Sequence, residues 1–159
     1  MPLLTLLVNG TPRSARVRSG ASLLEFLHDG LGISGVRPGC QDGVCGACTV
    51  IVEGRPVRSC MIAARSCSTR PIVTLEGLSS GGRLHPVQWA FLRHGALRCG
   101  FCTPGLILKA AALLDDPRAR ITRRRLRQIV GTHVCFCGMK PKIREALEDA
   151  ARSMGRLRE

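Results

Sequence analysis

Between Gly35 and Cys60 the sequence runs GVRPGCQDGVCGACTVIVEGRPVRSC, with Cys40, Cys45 and Cys48 in a C-x4-C-x2-C arm and Cys60 after eleven intervening residues. Four thiolates in this order can close on a single [2Fe-2S] cluster. Gly39, Gly43 and Gly46 interleave the cysteines, because a loop wrapped around an inorganic core needs left-handed turns and close backbone approach that a Cβ would obstruct. Their amides can then converge on the sulfurs, as a backbone nest converges on an anion. Four cysteines also satisfy tetrahedral zinc, but zinc sites usually pair two short Cys-Cys knuckles, whereas here three ligands stand in one arm.

Nine cysteines in 159 residues call for a reducing compartment if they are ligands rather than disulfides. The first twenty residues read without a basic and then apolar leader, so the cytoplasm is the expected location. No run approaches the ~20 apolar residues of a membrane span, so none is expected. Twenty-four Lys and Arg against 11 Asp and Glu give a net charge of +13, which suits nucleic acid or an acidic protein surface. With 3% aromatics and no Tyr, the chain lacks the stacking residues of a nucleic-acid platform, leaving an acidic partner as the better reading.

Along the chain, Leu3 to Val8 reads as a strand, Asn9-Gly10 as a hairpin turn and Arg13 to Arg18 as the returning strand. Ser22 can cap a short helix through Leu23, Leu24, Phe26 and Leu27, ended by Gly30 and Gly32. After the cysteine arm come a strand at Thr49 to Val52, a turn at Glu53-Gly54-Arg55-Pro56, a strand at Val57 to Cys60 and a fifth at Ile72 to Leu75. A Gly/Ser stretch from Gly77 to Arg83 then marks a linker, beyond which the apolar period changes from two to 3.6. Four helices follow. The first runs from Pro86 to His94 with Gly95 as its stop. The second starts at Pro104 with Leu106, Ile107, Ala110, Leu113 and Leu114 on one face. The third is capped by Thr122 and ends near Gly131. The fourth opens at Pro141 and places Ile143, Ala146, Leu147, Ala150 and Met154 at core spacing.

Two of these helices are preceded by cysteines, Cys99 and Cys102 before one, Cys135 and Cys137 before the other. Together they make a second four-thiolate set, with helix N-termini favouring an anion; on spacing alone it suits zinc as well as iron–sulfur. Cys67 is left over and reads as a small buried hydrophobe. His28, His85 and His94 read as helix-end residues and His133 as a hydrogen-bonding neighbour of Cys135. Arg118, Arg120, Arg123, Arg124, Arg125 and Arg127 form a basic run, read as a solvated helix face or as a docking face for acidic companions.

The motifs GC-x-x-G-x-CGACTV (Gly39 to Val50), Ser59-Cys60, TLEGL (Thr74 to Leu78), LHPVQ (Leu84 to Gln88) and GAL-x-CGFCTPG (Gly95 to Gly105) cover most of the chain. Together they resemble the two-cluster iron–sulfur subunit of the molybdenum hydroxylases, the xanthine dehydrogenase, aldehyde oxidoreductase and carbon monoxide dehydrogenase group. The resemblance implies an α+β chain: an N-terminal β-grasp, plant-type ferredoxin-like domain over residues 1–77, then an all-α four-helix [2Fe-2S]-binding domain over 84–159. It implies one [2Fe-2S] cluster on Cys40, Cys45, Cys48 and Cys60 and another on Cys99, Cys102, Cys135 and Cys137. Electrons would pass from a molybdopterin-binding large subunit towards a FAD-binding medium subunit, with catalysis in those partners. Where the family usually has Gln and GN-x-CRCTGY-x-K-I, this chain has Arg98 and THVCFCGMKPKI, which makes Arg98 and Phe136 candidate pterin-side neighbours. The reading from another class is a cysteine-rich interaction module holding zinc or a single cluster.

Overall fold

A computed structural model of the chain describes residues 1–158. Strands β1 (Leu3–Val8) and β2 (Thr11–Arg16) pair antiparallel, Leu3 opposite Arg16 and Val8 opposite Thr11. Asn9 and Gly10 have φ of 52° and 77°, the two left-handed residues of a tight hairpin turn whose twist matches the strands. Helix α1 (Leu23–Glu25) continues directly as a π turn over Phe26–Gly30. The Ser22 hydroxyl accepts from the Glu25 amide, and the Glu25 carboxylate accepts from the Ser22 amide and from Arg18, so orphan amides at the helix start are satisfied.

Strands β3 (Thr49–Val52) and β4 (Arg55–Arg58) form a second hairpin, and β5 (Ile72–Val73) lies between β1 and β3. The sheet order is β2-β1-β5-β3-β4, with β5 parallel to β1 and antiparallel to β3. The expected four-residue turn is a two-residue one: Glu53 and Gly54 take φ of 50° and 77°, and the strand starts at Arg55. Pro56 is tolerated inside β4 because that strand is an edge of the sheet and has an unpaired side. The strand correspondingly ends at Arg58, and Ser59–Met61 form a 3-10 turn.

The fifth strand is shorter than its apolar run. Thr74 leaves the sheet and Leu75–Leu78 form helix α2. The side chain of Asn9 accounts for the break, accepting from the Thr74 amide at 2.8 Å and donating to its hydroxyl at 3.0 Å. Glu76 accepts from the Thr74 hydroxyl at 2.6 Å and from the Gly35 amide at 2.7 Å, tying the start of the cysteine arm to the first hairpin. Gly77 therefore belongs to an ordered helix, and any Cβ there would collide with Asn9.

Helices α3 (Pro86–Arg93), α4 (Thr103–Asp115), α5 (Arg123–Gly131) and α6 (Lys140–Ser153) follow. Their core includes Phe91, Leu106, Leu114, Leu126, Ile143 and Leu147, and a separate core under the sheet includes Leu6, Leu23, Phe26, Val50, Ile72 and Cys67. Helix α4 is not one-faced as its pattern suggests. Leu106, Ala110 and Leu114 enter the helical core, while Leu108 and Ala112 on the opposite side pack on Ile51 of β3. Every residue of β3 is buried, as its unbroken apolar run requires when both faces of a strand are covered. The helical part also holds a parallel two-stranded ribbon, β6 (Ile121–Thr122) with β7 (Leu157–Arg158), too short to show in a helical pattern. Beside it the Arg156 guanidinium donates to the carbonyls of Leu114, Asp116, Pro117 and Ala119 and pins the α4–β6 loop.

Arg18 and the Ser22 groups hold the Glu25 carboxyl down to about 2 from an ordinary 4.5. A carboxylate with a depressed folded pKa stabilises above its unfolded pKa, and the contribution is lost as pH falls towards 2. Replacing Ser22→Ala is expected to cost about 1 kcal/mol at neutral pH. The stability gap between wild type and Glu25→Gln should narrow mainly as pH falls from about 5 towards 2, measured by urea midpoints at each pH.

Candidate metal centres at a shared seam

The cysteine arm folds so that amides surround sulfur. The Cys40 thiol accepts from the amides of Val44 and Cys45, both at 3.2 Å, and the Cys40 amide points at the Cys45 sulfur at 3.5 Å. Gly43 and Gly46 take φ of 81° and 86°, which turns the arm at the cost of no Cβ strain. A Cβ on Gly39 would stand 2.6 Å from the Cys45 sulfur, so a side chain there would fill the cradle. The sulfurs of Cys48 and Cys60 lie 3.4 Å apart, and the Ser59 hydroxyl and amide hold the Cys48 carbonyl at 2.7 and 3.2 Å. Cys40 is exposed while Cys45 and Cys48 are buried. Burial pushes the Cys60 thiol up to about 11; a cation's charge acts in the opposite sense.

The other four cysteines also meet. The sulfurs of Cys135 and Cys137 are 4.0 Å apart. Burial, reinforced by Cys135 and Cys99, pushes the Cys102 thiol up to about 12, and the amide and thiol of Cys99 draw Cys137 down to about 7. Cys102 stands immediately before α4 and Cys137 shortly before α6, at helix starts whose positive ends favour thiolate. Cys99 is exposed. Both sets thus offer clustered thiols, converging amides and one open side, a donor arrangement that fits a thiolate-held iron–sulfur group.

The two loops are joined. The Val134 amide donates to the Cys45 carbonyl at 2.9 Å, a single hydrogen bond between a cysteine of one set and the neighbour of Cys135 in the other. His133, 2% exposed, fills the space beside it. Its Nε2 faces Thr49 Oγ1 and Arg58 Nη1, each at 3.4 Å, and its Nδ1 lies 3.1 Å from Thr132 Oγ1. The arginine can only donate, which makes Nε2 the acceptor and Nδ1–H the donor of a neutral ring. Burial, then Arg58 and Lys109, press its pKa down to about 3. Arg58 also donates to Thr49 Oγ1 and the Thr132 carbonyl, both at 2.7 Å. The imidazole fits because Gly46 and Gly105 stand against it: a Cβ on Gly105 would meet the Gly46 carbonyl and lie 3.0 Å from Nε2.

Other candidate residues fall in different places. Arg98 Nη1 donates to the Cys137 carbonyl at 3.2 Å. Phe136 is 73% exposed and rests tilted on Phe101, ring centres 5.2 Å apart, while Phe101 reaches back to Gly39. Cys67 is wholly buried in the sheet core. His28 bonds the Val36 carbonyl, His85 bonds Asp115 and caps α3, and His94 bonds Asp149. Arg58 and Lys109 were not legible as seam residues, because their partners lie 74 and 23 residues away.

Comparison with known proteins gives concordant results. Residues 6–71 match the family model described as the 2Fe-2S iron-sulfur cluster binding domain, and residues 74–148 that of the [2Fe-2S] binding domain. The chain is similar to the 6-hydroxypseudooxynicotine dehydrogenase complex subunit beta of Paenarthrobacter nicotinovorans, 40% identical over 147 residues and 92% of each chain. It is also similar to the xanthine dehydrogenase iron-sulfur-binding subunit of Escherichia coli O157:H7, 40% identical over 131 residues and 82% of each. Among solved structures, quinoline 2-oxidoreductase from Pseudomonas putida 86 superposes with a TM-score of 0.85 at 34% identity, covering 98% of this chain and 96% of the other.

Gly105→Ala should overpack the seam and cost about 1–3 kcal/mol. Gly131→Ala, with nothing within 4 Å of the new methyl, should be neutral or slightly stabilising. Denaturant midpoints check both, and faster hydrogen exchange at the Val134 amide in Gly105→Ala locates the damage.

Proposed function

The chain belongs to the iron–sulfur subunits of the molybdenum hydroxylases, and from that premise we propose that Cys40, Cys45, Cys48 and Cys60 hold one [2Fe-2S] cluster and Cys99, Cys102, Cys135 and Cys137 the other. It is an electron-transfer subunit of a multi-subunit oxidoreductase and works beside a larger partner. The observation that carries the ligand assignment is the close approach of sulfurs within each set, Cys48 to Cys60 at 3.4 Å and Cys135 to Cys137 at 4.0 Å, on two loops joined by the Val134 to Cys45 hydrogen bond.

When bound, each cluster supplies a site that accepts and returns one electron. The chain's own residues do the remainder. Amides of Val44 and Cys45 favour thiolate sulfur at Cys40, the buried walls exclude water, and the wedge of His133 between Gly46 and Gly105 fixes the spacing of the two loops. The exposed cysteines Cys40 and Cys99 mark the sides on which partners approach.

We assign the side of Arg98 and Phe136 to a molybdopterin-binding large subunit, and the side of Cys40 to a FAD-binding medium subunit. Arg98 suits an oxygen-rich group there, and Phe136 makes a less polar surround than the arginine usual at its position, a change that tunes such centres. The sheet with its one covering helix supports a β-grasp domain over residues 1–77, and the helices α3 to α6 a four-helix domain over 84–159, to which β6 and β7 are a small addition. Among the described residues no helix is long and apolar enough to cross a membrane, and nine cysteines free of disulfides suit the reducing cytoplasm.

Chain purified under reducing conditions should contain four irons and four labile sulfides, two of each per matched domain. Cys45→Ser and Cys137→Ser should each remove a different one of two EPR signals. Stoichiometric zinc without sulfide would overturn the assignment.

A further inference from the structure

A groove of about 370 Å³ lies between α4, α5 and the tip of the β3–β4 hairpin. Its apolar lining includes Pro56, Ala112, Leu113 and Ile129, and its cations are Arg55, Lys109 and Arg125. Among the described residues none of these three has a carboxylate within 4 Å; the pairs formed elsewhere involve other cations. Lys109 donates to Thr132 Oγ1 at 2.9 Å and Arg125 to the Arg120 carbonyl at 3.4 Å, neutral acceptors that leave their charges uncompensated. The one carboxylate in the lining, Asp116, is occupied by the amide and guanidinium of Arg118. Burial and then Arg58 lower the pKa of Lys109, the response of a cation held among cations without a counter-charge.

Arg120, Arg124 and Arg127 extend the same positive field along the α4–β6 loop and α5, while Arg118 and Arg123 are paired with Asp116 and Glu148. The cysteines of the second set stand at the opposite helix ends: the N-terminus of α4, just beyond the C-terminus of α5, and before α6. Thirteen residues of α4 put about 20 Å between its ends, and the groove runs along that span from Arg125 near the arginine end to Lys109 and Thr132 beside the seam, with no cysteine in its lining. Nothing in the groove lining is aromatic, which removes the stacking that single-stranded nucleic acid uses.

We propose that this groove is a docking site for a carboxylate-bearing segment of a companion subunit, with an apolar side chain on its floor and Asp or Glu against Arg55, Lys109 and Arg125. The proposal rests on reading the chain as a subunit of a complex and adds a second contact surface, one whose lining includes none of the cysteines. Charge complementarity at such a surface sets encounter rate and partner choice.

The chain has three lysines, Lys109, Lys140 and Lys142, so zero-length carbodiimide cross-linking of the native complex, read by mass spectrometry, is a sharp test. The expected product joins Lys109 to an Asp or Glu of the companion. In a second measurement, Arg55→Glu/Arg125→Glu, which leaves Lys109 and its bond to Thr132 in place, should keep its iron–sulfur absorbance. It should bind the companion at least about tenfold more weakly, with a shallower salt dependence. A companion affinity within twofold of wild type, with Lys109 joined to no other chain, overturns the groove and leaves the subunit reading standing. Inorganic phosphate bound by wild type and lost in the variant, with companion affinity unchanged, makes it a small-anion site and likewise overturns docking. Wild-type chain isolated from its source without any companion overturns both readings together.

Discussion

The approach of the Cys45 loop to the Val134 loop is the constraint on which the remainder depends. A single backbone hydrogen bond joins them, and it can form because Gly46 and Gly105 leave room for one imidazole and no more. That ring has to be neutral, since Arg58 and Lys109 already bring positive charge to a buried place. His133 meets the requirement by accepting at one nitrogen and donating at the other. Arg58 spans the seam from β4 to the Thr132 carbonyl, so the hairpin of the sheet half and the cysteine loop of the helical half are held by the same side chain.

Packing carries the same junction away from the sulfurs. With α4 serving both the helical core and Ile51 of β3, the helix is covered on nearly every side. Truncation of Leu108 at such a site has a typical cost of about 2–5 kcal/mol. Because α4 begins immediately after Cys102, anything that shifts the helix against the sheet also shifts that thiol against the cysteine arm. Rigidity of the spacing therefore comes from the apolar seam as much as from the polar one.

Polar ties do comparable work on the sheet side. Thr74 and Glu76 of the TLEGL motif carry no redox chemistry; they bind Asn9 and Gly35, with Gly77 leaving room for Asn9, and so anchor the arm where it leaves the first helix. Arg156 acts similarly at the far end of α4, satisfying carbonyls that a short loop would otherwise leave open. Motifs that look functional because they lie near cysteines are here the scaffold that places them.

Sequence alone determined the first hairpin turn, the place though not the length of the second, the Ser22 cap and helix starts within a residue of Pro86, Pro104, Thr122 and Pro141, because left-handed glycine and capping chemistry act over a few residues. The burial of Cys67 followed from residue type alone, because its sequence neighbours Arg65, Ser66, Ser68, Thr69 and Arg70 are polar. Tertiary structure decided the remainder. The strand at Ile72 stops at Val73 because Asn9, far upstream, takes the Thr74 amide. Helix α4 buries two faces because β3 arrives from the other half. His133 became the wedge of the seam, a role that its position two residues before Cys135 could not reveal. Each of these depends on groups distant in the chain that compete for the same hydrogen bond or the same volume, and one-dimensional periodicity carries no record of that competition.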